Sequence, residues 1–124
     1  MYGYRGKIGI LVPSINTTME MDFHKMAPEG ISVHTARISW DAPESSVESL
    51  REMTDKAVKA AKDVAAAHVD VIVYGHAHKA ANHMREGVLL FNPGTVAGYT
   101  PSGVHSVGVL EVGDAISGDI IEII

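Results

Sequence analysis

Two histidines, two positions apart, are the residues of this chain best suited to hold a metal ion. His76 and His78 lie in Gly75-His76-Ala77-His78, directly after the apolar run 69–74. In extended chain the side chains at i and i+2 lie on the same side of the backbone. Neutral imidazole is a good ligand for Zn, Mn or Ni. The spacing therefore predicts one weakly bound divalent ion, although the chain shows no feature that requires a cofactor. The alternative is that both histidines are ordinary loop residues.

A second candidate site is the turn that contains Ser14, Asn16 and Thr17. This turn lies between an apolar run and a predicted helix. The backbone N–H groups and the dipole of a helix N-terminus favour an anion. We therefore expect these residues to bind a small carboxylate or phosphate. The alternative is that they form only a turn and a helix cap.

Three apolar runs predict the strands that would position these loops. They are residues 7–12, 32–38 and 69–75, and the last is apolar almost throughout, as a strand covered on both faces requires. Two helical segments separate them, so two right-handed crossovers give a parallel sheet with strand order 2-1-3. Such a sheet is of the flavodoxin or Rossmann type.

Capping patterns predict where the two helices begin. Thr17 is expected to be the first N-cap, with Glu20 completing a capping box. The second helix is predicted over residues 45–68, where apolar residues recur with helical spacing.

Beyond Gly75 the pattern changes to short strands and turns. Residues 76–85 are polar and predict irregular chain with one short helical turn. Strands are expected at 88–91, 105–112 and 116–124, and the last two should form an antiparallel pair. The predicted fold class is therefore α/β, in one domain of residues 1–124: a parallel βαβαβ half over 1–75, and a β-rich segment with antiparallel C-terminal strands over 76–124.

Residues 2–75 resemble the aspartate/glutamate racemase superfamily, in its maleate cis-trans isomerase and arylmalonate decarboxylase branch. The resemblance rests on the first strand, on Pro13-Ser14-Ile15-Asn16-Thr17-Thr18-Met19-Glu20, on Met26-Ala27-Pro28-Glu29-Gly30 and on Tyr74-Gly75. It implies that the first loop holds a substrate carboxylate, with Asn16 as the strongest candidate. The cysteine that this family has after Tyr-Gly is His76 here, and the chain contains no cysteine, so the thiolate chemistry of the family is excluded.

Residues 70–124 are similar to the C-terminal part of small calcineurin-like, metal-dependent phosphoesterases. His76 and His78 match the histidines of the Gly-His-x-His motif of that family, and Asn92-Pro93-Gly94-Thr95 matches its conserved turn. The resemblance implies that these histidines are metal ligands. The family also has an Asp-x-His on its first strand, whereas the first strand here ends in Leu11-Val12-Pro13-Ser14.

The resemblance changes at a strand that both families share, which indicates recombination of two α/β proteins. We therefore interpret the chain as an engineered or recombined chimera, without the activity of either parent family. Two alternatives stay open: a degenerate phosphoesterase-like hydrolase, and a small module that binds a carboxylate or phosphate.

Charge and hydropathy limit the kinds of partner and the location that we expect for the chain. The net charge is -5, with no basic stripe, so nucleic acid is not expected to bind. No apolar run approaches the 18 residues of a membrane span, and a cytoplasmic location is expected. The isoleucine-rich final strand predicts self-association, as a dimer, because an exposed apolar edge strand tends to pair.

Overall fold

The computed structural model of the chain describes residues 1–39 and 47–123. Its elements, in chain order, are β1 (Gly6–Pro13), α1 (Met19–Met26), β2 (Ile31–Ile38), α2 (Val47–Ala65), β3 (Val71–Val73), β4 (Ala81–Arg85), β5 (Val88–Asn92), β6 (His105–Val112) and β7 (Ile116–Ile123). The first two positions of the predicted second helix, 45 and 46, lie outside the described residues. Neither α1 nor α2 combines the length and the apolar character that a membrane crossing needs.

Five strands form the main sheet, in the order β2-β1-β3-β5-β4. β1 runs parallel to β2 over its whole length, from Gly6 opposite Ile31 onward. β3 is parallel to β1, with Ile8 opposite Val71. The predicted order 2-1-3 and the predicted α/β class are therefore confirmed. β5 extends the parallel part of the sheet beyond β3.

β4 is the element that the sequence analysis missed. Residues 81–85 were expected to be irregular, with a helical turn, and this prediction is wrong, because they pair antiparallel with β5. Glu86 and Gly87 join the two strands, with φ angles of 51° and 81°. Two positive φ angles in a two-residue loop are typical of a type I′ hairpin turn. The side chains of 82–85 are all exposed on this edge strand, so no apolar alternation marks it.

Both faces of the main sheet are covered. On one face α1 and the final hairpin pack against a cluster made of Ile8, Ile10, Val12, Val71, Val73, Leu89 and Phe91. On the other face α2 contributes Ala60 and Val64, which pack against Leu11, Val69 and Ile72. β3 supplies residues to both clusters, which explains its nearly continuous apolar run.

β6 and β7 form a separate two-stranded antiparallel sheet, as predicted for the C-terminal strands. This hairpin sits on the ring of Phe91 through two glycines. A Cβ atom at Gly108 would lie 2.6 Å from the Phe91 ring, and one at Gly118 would lie 2.5 Å from it. The absence of side chains at these two positions therefore allows the hairpin to approach β5.

Candidate functional site

Within the described residues, the loops after β1, β3 and β5 leave the carboxyl ends of neighbouring parallel strands. The loop after β1 carries Ser14, Asn16 and Thr17, and the loop after β3 carries His76 and His78. β1 and β3 are hydrogen-bonded neighbours, and β5 lies on the far side of β3. Parallel strands present their carboxyl ends at one edge of a sheet, where ligands of such folds bind. The structure thus brings both sets of predicted site residues to the same edge.

The histidine loop does not have the extended geometry expected from the sequence. His76 has a φ of 77° and His78 a φ of 54°, both in the left-handed region. The chain is therefore not extended at these residues, and the expectation of extended geometry is wrong. The reason is that β3 ends at Val73, so the chain turns before it reaches either histidine. Non-glycine residues in this region cost roughly 1–3 kcal/mol each and occur often at functional sites.

One ring nitrogen of His78 already has a hydrogen-bond partner. Its Nδ1 donates to the backbone carbonyl of Tyr99, in the loop after β5. A carbonyl oxygen only accepts, so the proton must be on Nδ1 in the neutral ring and the lone pair on Nε2. His78 is half-buried and His76 is exposed. In this tautomer Nε2 carries the lone pair with which a histidine binds a metal.

Two polar residues, one half-buried and one buried, flank this loop. Tyr74 is the half-buried one, and desolvation raises the pKa of its phenol. Asn92 is only 1% exposed and ends β5. Its Oδ1 accepts a hydrogen bond of 3.0 Å from the Gly94 amide, whereas its Nδ2 has no partner among the described residues. The sequence analysis assigned Asn92 to a turn, and its place after four apolar residues is the signal that could have indicated its burial.

The side chains present set a limit on the metal chemistry. Across 1–39 and 47–123, no three His, Cys, Asp or Glu residues are grouped so that they could share a metal ion. A two-metal hydrolytic centre holds its ions about 3.5–4 Å apart with several protein ligands. The described residues do not fit such a centre. Two imidazoles suit one ion whose remaining coordination positions are taken by water.

The loop after β1 is a helix cap built by Asn16. The Asn16 Oδ1 atom accepts hydrogen bonds from the amides of Thr18, at 3.0 Å, and Met19, at 2.9 Å. Thr18 is the N-cap residue, and its side chain makes no capping hydrogen bond. The prediction of Thr17 as N-cap is therefore wrong. The side-chain oxygen of Asn16 accepts the hydrogen bonds from the first N–H groups of the helix. Ser14 and Thr17 have exposed side chains on the same loop.

Glu20 also has a different role from the predicted capping box. Its carboxylate forms an ion pair of 3.1 Å with Arg37 on β2. The Thr35 hydroxyl lowers the pKa of Glu20 most and the Arg37 guanidinium lowers it further, although no hydrogen bond of standard geometry joins Thr35 to Glu20. Arg37 also donates to the backbone carbonyl of Asn16, at 3.1 Å. One guanidinium thus ties the first loop both to α1 and to β2.

Comparison with known proteins identifies one family. The model of the calcineurin-like phosphoesterase superfamily domain matches residues 21–115. No curated protein matches the chain. Among solved structures, a single mutant of Vps29 from Entamoeba histolytica is 16% identical, with a TM-score of 0.40, and the match covers 94% of this chain and 82% of that one.

Two further solved structures match this chain with comparable identity and TM-score. A novel archaeal phosphodiesterase is 14% identical, with a TM-score of 0.42, over 92% of this chain and 99% of that one. Vps29 from Cryptosporidium parvum is 13% identical, with a TM-score of 0.39, over 93% and 96% of the two chains.

The family match extends across the point at which recombination was expected. It begins within α1 and continues without a break through residue 75, where the resemblance was expected to change. Nothing in the comparisons supports the racemase resemblance, and nothing supports a chimeric or engineered origin. The match includes both Gly75-His76-Ala77-His78 and Asn92-Pro93-Gly94-Thr95. With three-quarters of its length matched by one family model, the chain belongs to the calcineurin-like phosphoesterase superfamily.

Proposed function

We propose that this chain is a phosphoesterase-fold protein that binds one divalent metal ion through His76 and His78 and does not hydrolyse phosphoesters. The observation that carries the proposal is the hydrogen bond from the Nδ1 atom of His78 to the Tyr99 carbonyl. Histidines that bind metals usually donate their other ring N–H to a carbonyl or carboxylate, which fixes the tautomer and the ring.

The backbone of the loop supports the same reading. Both histidines adopt left-handed φ angles, which residues with a Cβ avoid unless the surrounding structure requires them. The loop therefore holds two imidazoles at positions where glycine would be the less strained choice. Imidazole ligands suit zinc and nickel, whereas manganese prefers oxygen ligands.

The residues at the other loops support the proposed lack of hydrolysis. β1 delivers Pro13 and Ser14 to the site edge, where the phosphoesterase resemblance calls for an Asp-x-His. The described residues also contain no cluster of three potential ligands. Two histidines cannot clamp two ions against a phosphoryl group, so the chain would retain binding without the two-metal chemistry.

Calorimetric titration with zinc tests the binding. We expect the double variant His76→Ala/His78→Ala to bind at least about tenfold more weakly than the parent, which corresponds to about 1.4 kcal/mol. His24→Ala is the matched control, because His24 is exposed on α1 and belongs to neither loop. Equal zinc affinity in the parent and the double variant would reduce both histidines to ordinary loop residues.

A turnover assay tests the lack of hydrolysis separately. An aryl phosphodiester is incubated with the parent and with the double variant, each in zinc, manganese or nickel. We expect equal and negligible release of product from both. Hydrolysis by the parent that the double variant lacks would show a working hydrolytic centre.

A further inference from the structure

We infer that Thr95, Gly98 and Ser106 are positioning residues that fix the tautomer and the ring orientation of His78. They do so by shaping the loop after β5. In this loop the Tyr99 carbonyl accepts the hydrogen bond from His78 Nδ1. The inference deepens the proposed metal site and rests on it for its functional meaning. The tautomer itself can be measured without any metal, so the two ideas can fail separately.

The base of this loop is tied to β6 by a buried serine. Ser106 is 3% exposed, and its Oγ donates to the Pro93 carbonyl at 2.8 Å. The Ser106 amide donates to the Thr95 carbonyl at 3.0 Å. A buried residue that bonds two carbonyls of one loop holds that loop against the hairpin, because breaking either bond would leave a buried polar group unpaired.

The upper part of the loop is closed by Thr95. Its Oγ1 accepts a hydrogen bond of 2.9 Å from the Gly98 amide. This side-chain-to-backbone bond sets the path of the chain just before Tyr99. Thr95 thus holds Gly98, and the next residue, Tyr99, provides the carbonyl that accepts the hydrogen bond from His78.

Gly98 lies against the His78 ring and leaves no room for a side chain. A Cβ atom at Gly98 would lie 2.9 Å from Cε1 and 3.2 Å from Nδ1 of His78. It would also lie 2.7 Å from the Thr95 Oγ1 atom. An alanine at 98 would therefore push the imidazole away from the Tyr99 carbonyl. It would also disturb the hydrogen bond from the Gly98 amide to Thr95.

The Tyr99 side chain is 81% exposed, and the hydrogen bond with His78 is made by the Tyr99 backbone carbonyl. Tyr99→Ala keeps that carbonyl and is the matched control for every variant of the loop.

The test is nitrogen-15 NMR of the imidazole rings in the metal-free protein at mildly alkaline pH. We expect His78 in the parent and in Tyr99→Ala to carry its proton on Nδ1. We expect Gly98→Ala to lose this preference and to show a mixture of tautomers. Thr95→Val, which keeps the shape of threonine but removes the acceptor, should shift the ring signals in the same direction. If Gly98→Ala fails to fold, Thr95→Val decides the matter.

Two results would overturn the inference. One is a parent His78 that carries its proton on Nε2. The other is a folded Gly98→Ala, or failing that Thr95→Val, that retains the parental tautomer. Zinc titration of the same variants separates this inference from the proposed function: a changed tautomer with unchanged zinc affinity would leave the positioning role standing and would remove the metal role. We expect Gly98→Ala to weaken zinc binding about tenfold, although it removes neither ligand.

Discussion

Asn16 shows how one side chain can decide what a loop is available to do. The loop after β1 has the position of an anion site, at a helix N-terminus beside the sheet edge. The Asn16 carboxamide oxygen, however, already accepts from the two amides nearest the helix start. An anion at this loop would have to compete with a ligand that is built into the chain.

Removal of this cap should therefore destabilise the protein. We expect Asn16→Ala to lower the free energy of unfolding by about 1 kcal/mol, as measured by urea denaturation, because two helix N–H groups lose their acceptor. Thr17→Ala is the control, and it should change stability by less than about 0.5 kcal/mol, since Thr17 is exposed and is not the cap. Equal effects of the two substitutions would contradict the capping role of Asn16.

Anion binding at the same loop stays a prediction, and it can be tested at Ser14 and Thr17. A ligand that binds only the folded state raises the melting temperature. We expect phosphate to raise it slightly in the parent, and less in Ser14→Ala/Thr17→Ala, because the variant lacks two hydroxyl groups of the turn that can donate hydrogen bonds to an anion. The same rise in both proteins would place the bound phosphate elsewhere.

At the scale of elements, the sequence predicted the strands that have a strong pattern and missed the one that has none. β1 and β3 are buried runs, and their parallel pairing was predicted correctly. β4 is a polar edge strand whose only marker is the Glu86-Gly87 turn, which is weaker than the usual Asn-Gly signal. The loop at His76 and His78 was placed correctly after a strand, but its left-handed backbone could not be predicted, since periodicity describes regular chain only.

The hairpin depends on its two glycines, which makes Gly118 a sensitive position. Gly118→Ala would place a methyl group 2.5 Å from the Phe91 ring. We expect a loss of about 1–3 kcal/mol in the free energy of unfolding, the usual cost of overpacking. Gly113→Ala is the control, because its Cβ would meet nothing closer than 3.8 Å. If Gly118→Ala unfolds at the same urea concentration as Gly113→Ala, the hairpin does not rest on Phe91 in the way described.

At the scale of the whole molecule, the C-terminal hairpin divides its isoleucines between two faces. Ile116 and Ile120 pack against the main cluster. Ile121 is 50% exposed and Ile123 is 41% exposed, and Val109 on the neighbouring strand is 47% exposed. One face of the predicted apolar final strand therefore packs into the core, and the other face is exposed. The alternation of residues along the strand could have predicted these two faces.

This exposed face supports the predicted self-association. We propose that two copies of the chain pair through it, and we expect sedimentation velocity to show a dimer that forms with increasing concentration. Ile121→Glu should shift the protein towards the monomer, because it buries a charge in the interface. Val58→Glu on α2 is the control, since Val58 is 49% exposed but lies on another surface. A parent that stays monomeric at high concentration would refute the proposal.

The left-handed backbone at His76 implies a conflict between stability and binding that the protein should show even without metal. Glycine adopts a φ of 77° freely, whereas any residue with a Cβ is strained there by about 1–2 kcal/mol. We therefore expect His76→Gly to have a higher free energy of unfolding than His76→Ala, by about 1 kcal/mol, in urea denaturation of the metal-free protein. Equal stabilities would mean that the loop relaxes to another conformation in solution. If the difference is found, the loop imposes a backbone conformation that glycine adopts more easily than a residue with a Cβ, and the chain places an imidazole there against that preference.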